Sequence, residues 1–123
     1  MNNFKQPVSV LVIIHTADLD ILLIERAAHP GYWQSVTGSR EGDEALCTTA
    51  RREVAEETGI DTHPFLLTDW ACHVDFEIFQ RWRHRYAPGV THNREHVFSL
   101  LVPRNIPVKL AAEEHREEPR SVL

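Results

Sequence analysis

The chain is poor in the residues that staple a fold or carry it across a bilayer. It holds only two cysteines, Cys47 and Cys72, in 123 residues. That is too few for a disulfide framework and matches no zinc spacing, so both read as free thiols suited to a reducing cytoplasm. Positive charge is also scarce: thirteen Lys and Arg stand against eighteen Asp and Glu, a net charge of −5. This balance disfavours a non-specific hold on nucleic acid or on an anionic membrane, and a polyanionic ligand would need cations placed locally. No apolar run approaches the roughly 18 residues of a membrane span. The strongest early run, residues 8–14, is interrupted by Ser9 and leads into His15 and Thr16 without a small-residue cleavage site, so no secretion signal is expected. There is no repeat and no low-complexity tract.

What remains is an ordinary globular composition, 42% apolar and 25% charged, in a length typical of one domain, expected here to span residues 1–123. Such a chain buries roughly two thirds of the surface its unfolded form exposes, enough to fold without disulfides. Residues 7–15 and 21–24 are rich in Val, Ile and Leu and are joined by a polar stretch, so they read as neighbouring buried strands. Residues 32–37 read as a short strand or extended segment ending at Gly38, where the backbone can turn. From Asp43 or Glu44 to Thr58 there is no Gly or Pro, and Leu46, Cys47, Ala50 and Val54 recur at helical spacing, with Gly59 placed to end the helix. Residues 65–79 have strand character, and Val74, Phe76 and Ile78 alternate with Asp75, Glu77 and Phe79. Residues 80–93 are basic and aromatic and read as a long loop before a strand at 95–102; residues 108–110 are a short strand candidate. Strands, one central helix and more strands predict an α/β sandwich with a mixed sheet.

The helix carries a charge pattern that it does not favour on its own. With 100° per residue, Glu53, Glu56 and Glu57 project within a sector of roughly 100°. Like charges at i,i+3 and i,i+4 cost about 0.2–0.5 kcal/mol per pair, and the macrodipole disfavours anions in the last turn. An acidic helix face is ordinarily a solvated one, salt-bridged here by Arg51 and Arg52. A hard divalent cation reverses the sign of both penalties, because oxygens from adjacent turns share its charge.

The spacing favours the cation. Gly38, five residues, Glu44, seven residues, then Arg52-Glu53-Val54-Ala55-Glu56-Glu57-Thr58-Gly59-Ile60 matches nine specified positions over 23 residues, and on these residues the chain resembles the Nudix hydrolase family. The resemblance implies an α/β/α sandwich whose loop-helix-loop box, residues 38–60 here, binds Mg²⁺ or Mn²⁺ and hydrolyses a diphosphate linked to another moiety. It implies Glu53 and Glu57 as principal metal ligands, Glu56 as a further ligand or a base acting through water, and Arg52 as the residue holding the glutamates in register. Gly38 matches the position where backbone closes on the metal site, Glu44 a supporting position at the helix start, and Gly59 the end of the box.

Outside the box, residues 7–12, 32–39, 76–79 and 83–91 with Asn93, Glu95 and His96 resemble the bacterial branch of the family that removes pyrophosphate from 7,8-dihydroneopterin 3′-triphosphate, a step toward folate, and also hydrolyses dATP. That branch implies substrate contacts at Lys5, Arg26, Thr37 and the strand Phe76, Glu77, Ile78 and Phe79, and a further metal ligand at Glu114, before His115. The implied partner is a small-molecule triphosphate, with no nucleic acid and no membrane. A triphosphate calls for cations besides the metal, and Arg83 and Arg85 join Lys5 and Arg26 as candidates. A flat pterin would stack on Phe76 or Phe79, with Glu77 accepting from ring N–H groups. The family continues after His115 with an aromatic strand and a terminal helix, whereas residues 117–123 here diverge, so that helix is expected to be missing and the tail mobile, with Pro119 unable to donate into a central strand. Two other readings stand beside this one: another nucleoside triphosphate or dinucleoside polyphosphate hydrolase with the same metal site, and a weakly active nucleotide-binding module.

Overall fold

The computed structural model describes residues 4–25 and 31–109, and the backbone of 120–122. The centre of the sheet is β1 (Val8–His15), whose Val10, Val12 and Ile14 are fully buried on one face, as expected of a β-branched run at period two. One edge of β1 pairs in parallel with β6 (His92–Leu101), in register from Val8↔Arg94 to His15↔Leu101. The other edge is shared: β4 (Val36–Ser39) pairs antiparallel with its first half, and β2 (Ile21–Glu25) with its end. Strand β3 (Trp33–Gln34) pairs with β2, and β5 (Leu66–Glu77) forms the far edge against β6. The sheet is therefore mixed, as the order of elements predicts. Helix α1 (Leu46–Thr58) packs on one face, burying Ala50 and Val54 against Val10, Val12, Val36 and Phe98. No helix among the described residues is long and apolar enough to cross a membrane.

The helix begins later than Asp43 or Glu44 because Glu44 is occupied elsewhere: its carboxylate accepts from the Glu41 N–H and the Thr49 hydroxyl, which holds residues 41–45 in a turn. Its end is as expected. Gly59 takes the left-handed conformation, φ 73°, and its N–H bonds the Ala55 carbonyl at 2.9 Å.

Four expectations need correction. Gly38 is not a turn residue; it lies inside β4 opposite Val10. The segment after β5 is not all loop, since Gln80–Arg85 forms a 3₁₀ helix. Val108 and Lys109 are not in a strand; the Lys109 N–H bonds the Thr58 carbonyl at 2.7 Å, satisfying one of the groups left open at the end of α1. The divergent tail is not without structure, because Arg120–Val122 forms β7, antiparallel to β2. Pro119 itself lies outside the described residues. Among the described residues there is no terminal helix.

The β5–β6 ladder is broken by a bulge. Asp69 pairs with Phe98 and His73 with His96, so Trp70, Ala71 and Cys72 oppose Val97 alone. Ala71 adopts φ 53°, its N–H bonds Asp69 Oδ1 at 2.8 Å, and the Trp70 indole donates to Ser99 Oγ at 2.8 Å.

Candidate active site

Arg52 organises the acidic end of the molecule. Its Nε and Nη2 grip both oxygens of Glu44 at 2.8 and 2.9 Å, Nη1 donates to Glu53 Oε1 at 2.8 Å, and Nη2 also donates to the Ser39 carbonyl at 2.9 Å. A planar fork with five donors can do this; a lysine cannot. The Arg52 guanidinium holds the Glu44 carboxyl down at about 2, well below the usual range. Glu44 is thus a full partner of Arg52, a larger role than the sequence suggested, and its signal was the eight-residue spacing of opposite charges across the helix start. Arg51 instead leaves the face: its Nη1 donates to the Thr62 carbonyl and hydroxyl and pins the loop beyond the helix.

Glu53 and Glu57 come together and Glu56 does not join them. Glu57 is 3% exposed, and its carboxyl stands near enough to that of Glu53 to affect its protonation. Burial pushes the Glu53 carboxyl up, against the opposing pull of Glu57 and Arg52. Glu56 sits on the exposed rim, reached only by Arg52 Nη1 at 3.4 Å. No three acidic, histidine or cysteine side chains converge on one point among the described residues; Glu114 lies outside them, and so does Arg26. Gly38 lies directly beneath: a Cβ built there would overlap the Glu53 carboxylate. Two neighbouring carboxylates largely withdrawn from solvent favour a proton or a cation between them, and the donor set is all hard oxygen, so the chemistry of the site fits a divalent ion of the Mg²⁺ kind.

The other candidates spread over the opposite sheet face and one end of it. By register, Thr37 shares a face with Leu11, the face turned away from α1, and Phe76 lies on that same face opposite Asn93, 42% exposed. Ile78 is buried, and its N–H bonds the Thr91 carbonyl. Phe79 is exposed and meets Trp82 edge-on at 5.5 Å, with Arg81 stacked over both rings. The Lys5 backbone joins the end of the 3₁₀ helix through the Arg85 carbonyl, and its ammonium lies 5.9 Å from the Tyr86 ring centre. Arg85 is exposed. Arg83 is not open to a phosphate in the way expected: Nη2 pairs with Glu77 at 3.0 Å and Nε donates to the Ile78 carbonyl. Glu77 is correspondingly engaged by Arg83 and stands on the surface.

Asn93 and Glu95 carry the family resemblance in sequence without a role of their own. Both stand on the central strand β6 and are largely withdrawn from solvent. The available signal was two polar residues at period two entering an otherwise apolar strand.

Comparison with known proteins agrees with this geometry. The NUDIX domain model matches residues 5–121. Dihydroneopterin triphosphate diphosphatase of Escherichia coli K12 is 48% identical over 103 residues, covering 81% of this chain and 69% of that protein. The Haemophilus influenzae enzyme of the same name is 41% identical over 112 residues, 88% of this chain and 71% of that one. The solved structure of the E. coli dihydroneopterin triphosphate pyrophosphohydrolase superposes with a TM-score of 0.85 at 42% identity, covering 97% of this chain and 82% of that chain. By box, fold and these likenesses together, the chain belongs to the Nudix hydrolase family, as a pyrophosphohydrolase with the Nudix fold.

Proposed function

We propose that this enzyme hydrolyses 7,8-dihydroneopterin 3′-triphosphate to the monophosphate and pyrophosphate with Mg²⁺, with dATP as a second substrate. The carrying observation is the half-buried Glu53, over Gly38 and held by Arg52, one helical turn from the buried Glu57. The substrate is argued from the relatives' activity at 41–48% identity.

Nudix hydrolases generally work with a divalent cation, and in this chain Glu53 and Glu57 would hold it, joined by Glu56 from the rim and by Glu114. When bound, the ion neutralises phosphate oxygens and makes water more acidic. The protein supplies the rest. Arg52 fixes the Glu53 carboxylate so that no side-chain reorganisation is needed when substrate arrives. Glu56, solvent-exposed and on the same helix, is placed to accept a proton from water at the rim. Lys5, Arg26 and Arg85 bring positive charge to the phosphates, offsetting the negative balance of the chain. Thr37 and Phe76 stand on the sheet face away from α1, and Phe76 offers a ring surface there; Phe79 lies beyond the end of β5.

The test is product identity. With Mg²⁺, dihydroneopterin triphosphate should give pyrophosphate and the monophosphate in equal amounts, and activity should vanish with chelator and return with Mg²⁺ or Mn²⁺. Faster turnover of dinucleoside polyphosphates would overturn the substrate, and Mg²⁺-independent turnover would overturn the metal role.

A further inference from the structure

On the sheet face away from α1, three polar side chains form a directed chain. Asn93 Nδ2 lies 2.8 Å from Ser9 Oγ, and Ser9 Oγ lies 3.4 Å from Glu95 Oε2. Glu95 can only accept from Ser9 when ionised, so the Ser9 proton points to Glu95 and Ser9 must accept from Asn93. This fixes the amide: Nδ2 faces Ser9, and Oδ1 faces the other way. That Oδ1 atom is buried, in a residue 3% exposed, and makes no hydrogen bond. A buried acceptor left without a donor is costly, and burial also pushes the Glu95 carboxyl up from its usual range, partly offset by Ser9. Phe76 stands opposite Asn93 on the same face, with Leu11 one strand and Thr37 two strands from β6 on its other side.

Neither acceptor is used by the metal site. Both belong to β6, two residues apart, and β6 is held against β1, whose other neighbour is β4. Ser39 on β4 pairs with Ser9 of the chain and gives its carbonyl to Arg52. The acceptors and the carboxylate pair are therefore connected through one short strand, on opposite sides of the sheet.

We propose that Glu95, held through Ser9 by Asn93 and flanked by Phe76, forms a ring-reading subsite that takes a heterocycle presenting adjacent N–H donors, the amino-imino edge of a pterin. The inference rests on the pterin triphosphate reading above and gives it a means of choosing its base. An amino-imino edge presents two adjacent protons, one for each oxygen of the Glu95 carboxylate, and no acceptor between them. The corresponding edge of adenine has a ring nitrogen acceptor beside its amino group, which a carboxylate repels. Glu77, engaged by Arg83, is not needed for this task.

The ring alone tests the subsite, without metal or phosphate. Neopterin binding, followed by its own fluorescence in chelator, should be weakened at least tenfold by Glu95→Gln and by Asn93→Leu, with the melting temperature of Glu95→Gln unchanged or raised. 2′-Deoxyadenosine should bind wild type more weakly than neopterin does and be indifferent to Glu95→Gln. If Asn93→Leu fails to fold, Glu95→Gln, nearly the same shape, decides alone. Equal neopterin affinity in wild type and Glu95→Gln overturns the proposal, as does no neopterin binding by wild type. Turnover of dihydroneopterin triphosphate at unchanged KM in Glu95→Gln overturns the subsite and leaves the proposed function standing. Neopterin binding that depends on Glu95, in a protein that does not hydrolyse the triphosphate, does the reverse.

Discussion

Arg52 ties residues that the chain separates, and its neighbours set the first two expectations. Removing charge from the buried pair relieves repulsion while it disables the metal site, so Glu53→Gln and Glu57→Gln should each lower kcat at least about a hundredfold and leave the metal-free melting temperature unchanged or raised. Steady-state kinetics beside thermal melts check both. Near-wild-type turnover would remove these residues from the metal. Glu44 has a different pH signature. Its folded carboxyl is held down at about 2 against an ordinary value of 4.5, so its contribution is full above about pH 4.5 and is lost as pH falls toward 2. Glu44→Gln should therefore be less stable than wild type at pH 7, and the gap in urea midpoints should close between pH 4.5 and 2. The Glu53 and Glu57 relation was legible because both lie on one helix, where spacing fixes direction. The Glu44–Arg52 grip was not, because it depends on how residues 41–45 turn, and no periodicity reports that.

Among elements, β4 is short but places the site. Its Gly38 is required by proximity and not by backbone conformation, for it has no positive φ, and an added Cβ would collide with Glu53. Gly38→Ala should lower kcat sharply, whereas Gly42→Ala, with φ +54° and open space around it, should cost only stability, about 1 kcal/mol. Paired measurements of turnover and melting temperature separate the two. The 3₁₀ helix gives a similar division. Arg83 braces the Ile78 carbonyl and Glu77, so Arg83→Ala should lower the melting temperature, while Arg85→Ala, on an exposed side chain, should raise KM for the triphosphate with little change in stability. An unchanged KM in Arg85→Ala would return that arginine to a solvated role. The end of α1 was legible from Gly59, since few residues accept a left-handed cap. The 3₁₀ helix was not: it is short and carries no apolar stripe, and it is held by bonds such as Tyr86 N–H to the Arg83 carbonyl.

At the scale of the molecule, the sheet divides stability from recognition by face. Phe98 is fully buried beneath α1, and Phe98→Ala should cost about 3–5 kcal/mol, visible as a lowered denaturation midpoint. Phe76, on the other face and 42% exposed, should lose far less stability as Phe76→Ala while weakening neopterin binding. The parallel pairing of β1 with β6 joins residues 8–15 to residues 94–101, and that has a consequence for synthesis. During translation, the first strand emerges with no partner for its inner edge until about residue 101 has cleared the ribosome. Closing so long a loop is slow compared with hairpin formation. Nascent chains arrested before His92 should remain sensitive to protease, and those arrested well after Leu101 should become resistant. Chaperones that shield exposed Val and Ile would then meet β1 while its parallel partner is still unmade.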